Sequence, residues 1–152
     1  MRKNTNIARA IRLVYKNKEF WRIMLEESEA QSGPFDGGCL ICAKAIIRAA
    51  GGGTLVRLTS GLGNPEEHYG AKIDGGIYDF YGRHGSPKAW IKRFAEKESI
   101  VDRVFGYAEG LYSETEGFYE EAEGACYESE IPDDPWAEKK IASLLSAAMG
   151  EG

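Results

Sequence analysis

The chain is short of histidine and cysteine. Its 152 residues include two histidines, His68 and His84, and three cysteines, Cys39, Cys42 and Cys126. An odd cysteine count at uneven spacing argues against a disulfide framework, so reduced thiols and a cytoplasmic setting are expected. No apolar run is long enough to span a bilayer, and the opening MRKNTNIARAIRLVYKNKEF lacks the unbroken apolar stretch of a secretory signal. A membrane partner is therefore not expected. Residues 107–138 lack lysine and arginine altogether and carry 11 Asp and Glu, for a net charge of −11. That sign disfavours direct binding to nucleic acid. Residues 1–106 are net +5 and residues 139–152 net +1. An acidic block beside a basic body folds back on it, stays solvated, or meets a basic protein partner.

What is present suits one domain with a sizeable core: 43% of residues are hydrophobic and 28% charged. Ile7, Ala10, Ile11 and Val14 follow helical spacing. Phe20, Trp21, Met24 and Leu25 resume it after a polar break at 16–18, so a broken helix is predicted over 4–29. A turn over 31–38 leads to an apolar helix over 40–50 that three glycines stop. A strand is predicted over 54–59 and a loop over 60–67. Asp74-Gly75 between two strand-forming runs predicts a hairpin over 68–82. Ser86-Pro87 starts a helix that buries Trp90, Ile91 and Phe94. A further strand is predicted over 99–107, no element is assigned to the acidic block, and a last helix follows Asp134-Pro135. The fold class is α+β: N-terminal helices on a small antiparallel sheet over 1–106, an acidic aromatic segment over 107–138 serving as a lid or partner-binding region, and a C-terminal helix over 139–152 that packs on the core. Truncation before Tyr107 is expected to alter partner choice more than chemistry.

The stretch GPFDGGCLICAKAIIRA, residues 33–49, spends three glycines just before a cysteine. A thiol at a helix N-terminus feels the helix dipole and free N–H groups, which favour the thiolate. The same N–H groups stabilise an oxyanion, and Gly37 and Gly38 would let a substrate backbone come close. Cys39 is thus expected to be exposed at the helix tip. A cysteine nucleophile needs a base, and the base an orienting group. If Asp74 and Gly75 are the two central turn residues, Ile73 faces Gly76 and Asp79 faces Gly70. His68 and Asp79 then share a sheet face as diagonal neighbours, with room at Gly70 for the imidazole to lean over. A three-residue turn would put Asp79 on the other face.

The order of Cys39 at a helix start, His68 in HYGAKIDGG and Asp79 in IYDFYG resembles the papain-like cysteine enzymes, and within them the transglutaminase-like and related small branches. The likeness spans roughly residues 31–82. It implies a helix against an antiparallel sheet, a Cys39–His68–Asp79 triad, and acyl chemistry through a thioester: protease, deamidase or transglutaminase. A peptide, protein or small acyl substrate and no cofactor are implied. In relatives an upstream polar side chain often joins the oxyanion hole, and Gln31 is the candidate, beside the Gly38 backbone. The tryptophan that relatives often carry next to the cysteine or histidine is absent from both neighbourhoods. His84, flanked by glycine, suits a loop residue or a substrate contact.

Three other readings compete. Cys39-x-x-Cys42 has redox spacing, but no strand is predicted before Gly37, and Cys42 is expected to point into the core beside Ala43 and Ile46. Zinc held by Cys39, Cys42, His68 and His84 would need histidines sixteen positions apart, unlike the usual short pairs. A non-enzymatic interaction or inhibitor protein would bind a basic partner through 107–138, using Tyr107, Tyr112, Phe118, Tyr119, Tyr127 and Trp136 among the carboxylates.

Overall fold

A computed structural model describes residues 2–60, 67–113 and 115–150. The predicted loop over 60–67 therefore lies largely outside the described residues. The helical start breaks where the polar residues stand: α1 spans Arg2–Tyr15 and α2 spans Lys18–Arg22, which runs on as a π-helical turn over Ile23–Glu27. Asn17 restarts the helix by accepting the Glu19 N–H on its side chain at 2.7 Å. The apolar stretch forms α3, Cys39–Ala50. Strand β1 covers Thr54–Ser60, β2 Glu67–Ile73, β3 Gly76–Asp79 and β4 Gly82–His84. Helix α4, Pro87–Lys97, begins with Ser86 accepting the Ala89 N–H, as Ser-Pro predicts.

The hairpin register is that of a two-residue turn. Asp74 and Gly75 have φ of 48° and 81°, and Ala71↔Tyr78, Lys72↔Ile77 and Ile73↔Gly76 pair across it. The turn chemistry alone therefore puts His68 and Asp79 on one face of the sheet.

The acidic block is ordered, not unassigned. It forms β5, Phe105–Ser113, β6, Gly117–Glu120, and β7, Ala125–Tyr127, before α5, Pro135–Gly150. The sheet is antiparallel throughout, in the order β4-β3-β2-β1-β5-β6-β7. The strand expected over 99–107 starts later, at Phe105. The backbone before it closes turns on the end of α4 instead: the Ile100 N–H bonds the Ala95 carbonyl and the Arg103 N–H the Ile100 carbonyl. Residues 1–106, 107–138 and 139–152 share one sheet and core. β5 pairs with β1 from Leu55 to Ser60, and Phe118 is fully buried. Helix α5 places Ala137, Ile141 and Leu145 in the core that holds Ile11, Ile41 and Ala45. Removing everything after 106 would strip one edge of β1 and the share of the core that α5 supplies, so that truncation should cost stability as well as any change in partner choice.

Charge follows the same path. Lys44 on α3 bonds Asp133 at 3.0 Å and Glu138 at 3.2 Å, and Arg48 bonds Glu138 at 2.9 Å. Part of the acidic segment has folded back on the basic body.

The two sheet faces have different tenants. Leu55, Tyr69, Ala71 and Tyr78 point towards α3, while Val56, Leu58 and Ile77 pack with Trp90 and Phe94 of α4. Alternation puts His68, Gly70 and Asp79 on the α4 face.

Candidate functional site

The turn before α3 is a packing solution. The Gly38 N–H donates to the Gly33 carbonyl at 3.0 Å. A Cβ on Gly38 would collide with Met24 Cε and stand 2.7 Å from that carbonyl oxygen. Glycine at 38 thus seats the turn against the π-helical segment, rather than admitting a substrate backbone. Cys39 is the first residue of α3, where the helix supplies no acceptor for its N–H, and Gly38 offers no side-chain cap.

Cys39 is not exposed, as its place at the helix tip suggested, but 4% accessible. It belongs to an apolar cluster with Leu40, Leu55, Tyr69 and Phe118, and Ile131 packs on that cluster from the strap after β7. β6 contributes Phe118 to that cluster, so the acidic block helps to enclose it.

Four elements meet at Asp79. Its Oδ2 lies 2.8 Å from His68 Nε2 and accepts the Trp90 indole N–H at 2.9 Å. Its Oδ1 lies 2.9 Å from His84 Nε2 and accepts the Tyr81 backbone N–H at 2.8 Å. Asp79, His68 and His84 are all buried. β2 pairs with β3 only as far as Ala71↔Tyr78; beyond that pair His68 leaves the hairpin, and the Cys39 side chain comes near enough to act on its imidazole. Since Nε2 is engaged by Asp79, Nδ1 is the nitrogen left for the thiol. Phe94 stacks on the imidazole with centroids 4.3 Å apart.

The electrostatics follow from these contacts. Burial alone would lower the His68 pKa, but hydrogen bonds and negative charge from Asp79 and Cys39 outweigh it and hold the imidazolium to about 9. For Asp79, burial would raise the pKa; hydrogen bonds from His68 and His84 reverse this and keep the carboxyl well below its usual range. Cys42 lies in the core with Ile46, as expected, whereas Ala43 packs in the cluster of Cys39; burial pushes the Cys42 thiol up. A redox pair or a four-ligand zinc site would need Cys42 and His84 turned towards Cys39, but one faces the core and the other Asp79. Cys126 is exposed on β7.

Several expectations are corrected. His84 is not a loop residue: β4 buries it and its ring bonds Asp79, because Ile77↔His84 pairing sets it diagonal to that carboxylate. Gln31 is exposed in a turn with φ 47°, and its N–H bonds Ser28. The room at Gly70 belongs to tryptophan, not to the imidazole: a Cβ there would lie 2.8 Å from Trp90 Cζ2. No tryptophan neighbours His68 in sequence, yet Trp90 arrives from α4 with its centroid 5.7 Å from the imidazole. Sequence reasoning took Trp90 for apolar packing. The available signal was its N–H, which a buried indole must satisfy.

Beside the cluster opens a cleft of about 670 Å³, lined by Phe35, Asp36, Gly37, Arg57, Glu67 and Ile131 among others. Cys39 and His68 do not line it, but Gly37 and Glu67 sit two and one positions from them in the chain. Ile131 faces both the cleft and the Cys39 cluster. Among the described residues, no helix is long and apolar enough to cross a membrane. Compared with protein-family models, curated proteins and solved structures, the chain matches none.

Proposed function

We propose that this protein is a thiol-dependent hydrolase or acyl transferase of papain-like chemistry, with Cys39 as nucleophile, His68 as acid and base, and Asp79 as the group that orients it. One arrangement carries the reading: Asp79 bonds His68 at 2.8 Å, and the Cys39 side chain, at the first turn of a twelve-residue helix, acts on the same imidazole. A buried carboxylate on Nε2 and a thiol beside Nδ1 set up a thiolate–imidazolium pair.

The steps balance as follows. The Cys39 thiolate attacks an acyl carbon; the C–S bond forms and the carbonyl π pair moves to oxygen, where N–H groups at the α3 tip stabilise it. The oxyanion collapses, the bond to the leaving group breaks, and the imidazolium of His68 protonates that group. Water or an amine then attacks the thioester, His68 takes its proton, and the C–S bond breaks to return the thiolate. Asp79 keeps the imidazole in one orientation and offsets its positive charge. Access requires Ile131 to swing away from the cleft, which gives the acidic segment the role of a lid.

The test is covalent. Incubation with a small aryl ester should add one acyl mass to Cys39, cleavable by hydroxylamine, and His68→Ala should abolish the adduct. Equal acylation with and without His68, or acylation at Cys126 alone, refutes the enzyme reading. A second reading, an acidic module for a basic protein partner, is favoured by the exposed Glu116, Glu121, Glu123, Glu128 and Glu130. It predicts salt-sensitive capture of a basic protein that is indifferent to Cys39→Ala.

A further inference from the structure

The acyl-transfer scheme leaves His84 unused, although it is 4% accessible and one of only two histidines in the chain. We infer that His84 is a positioning residue, which pins Oδ1 of Asp79 so that Oδ2 stays fixed on His68. This deepens the reading of Cys39 as a nucleophile and rests on it.

The geometry makes the case. A carboxylate held on one oxygen alone can rotate about its Cβ–Cγ bond and tilt any imidazole bound to it. Asp79 is held on both oxygens: His84 Nε2 and the Tyr81 N–H on Oδ1, His68 Nε2 and the Trp90 N–H on Oδ2. Tyr81 belongs to the same tight turn as Asp79 and moves with it. His84 comes from the next strand, fixed by the Ile77↔His84 pairing, and so ties the carboxylate to a separate element. An apolar side chain would fill the same volume without that bond, and burial of a polar ring is otherwise unfavourable. The titratable groups facing the carboxylate are His68 from β2 and His84 from β4; Cys42 of α3 and Tyr81 sense it more weakly, while α4 presents Trp90 and Phe94.

The test uses the full chain and two readouts. The first is the rate of iodoacetamide alkylation at Cys39, followed by peptide mass across pH. The second is the ¹⁵N shifts of the His68 ring, which stand alone once His84 is replaced. His84→Leu should slow alkylation by roughly ten- to a hundredfold through misplacement of the imidazole, and shift the His68 ring signals. His84→Gln should restore both, because its amide nitrogen overlays Nε2, whereas His84→Asn should not, because its amide overlays Nδ1 and falls short of Oδ1. Ile77→Val, which loosens the same strand pair without touching the carboxylate, should leave both readouts as in the wild type. If His84→Leu does not fold, the contrast between Gln and Asn decides alone. The inference is overturned if His84→Leu leaves both readouts unchanged, if Gln and Asn behave alike, or if Ile77→Val reproduces the effect. Failure of the parent reading looks different: wild-type Cys39 reacts at a rate indifferent to His68→Ala. The His68 ring shifts still decide the positioning claim in that case.

Discussion

Replacing Asp79 by asparagine keeps the volume and removes one charge, yet neither amide orientation satisfies the site. With the amide nitrogen in the Oδ2 position, it meets the Trp90 N–H; in the Oδ1 position, it meets the Tyr81 N–H. Both of those groups only donate, so a donor–donor conflict remains either way. One histidine must also present a proton-free Nε2; if it is His68, the imidazolium loses its Nε2 proton and becomes neutral. A buried donor without an acceptor costs about 1–3 kcal/mol, and breaking a buried ion pair about 3–5 kcal/mol. Asp79→Asn should therefore lose about 3–5 kcal/mol, which for a chain of this size lowers Tm by roughly 6–20 °C. Urea unfolding followed by circular dichroism measures the loss directly, with an unchanged slope showing that the unfolded state is the same. The double variant Asp79→Asn with Trp90→Phe removes the obligate donor on the Oδ2 side and gives the amide one conflict-free orientation. It should be more stable than the sum of the single losses implies, by about 1–2 kcal/mol. A loss below about 1 kcal/mol for Asp79→Asn, or a strictly additive cycle, would refute the described hydrogen-bond pattern.

Stability should also depend on pH in a worked direction. His68 is raised from 6.5 to about 9, so its contribution is complete below 6.5 and fades as pH rises through about 9. Asp79 is lowered from 3.8, so its contribution is complete above that value and fades as pH falls below it. Urea midpoints should plateau between these limits, and His68→Gln should flatten the alkaline decline; a midpoint that climbs from pH 7 to 9.5 contradicts the assignment. Gly70→Ala would force its Cβ against Trp90 and should cost about 1–3 kcal/mol, with a change in tryptophan emission as the indole leaves Asp79. An unshifted spectrum and full stability would mean that the indole does not lie over Gly70. Ile131→Ala should speed iodoacetamide labelling of Cys39 several-fold, by opening the way from the cleft; an unchanged rate removes Ile131 from the lid role.

The local elements were legible because short-range chemistry decides them. Ser86-Pro87 starts a helix wherever the chain goes, and Asp74-Gly75 demands positive φ at both turn positions, which fixed the register and with it the shared face of His68 and Asp79. The order Cys39, His68, Asp79 was therefore readable before any tertiary contact. Four things were not. The acidic block became strands only because β1 offers a free edge, a partner more than forty residues away in the chain. Cys39 is buried in a cluster to which those strands bring Phe118 and the strap after β7 brings Ile131. Gly70 serves an indole that comes from another element. His84 meets Asp79 through a strand pairing that follows a second turn, Phe80-Tyr81, which carries no strong turn signal. Backbone dihedrals and side-chain alternation are set within a few residues, so the sequence alone determined which groups share a face. Burial and hydrogen-bond partnership depend on which distant surfaces meet, and only the packed sheet and helices decided those.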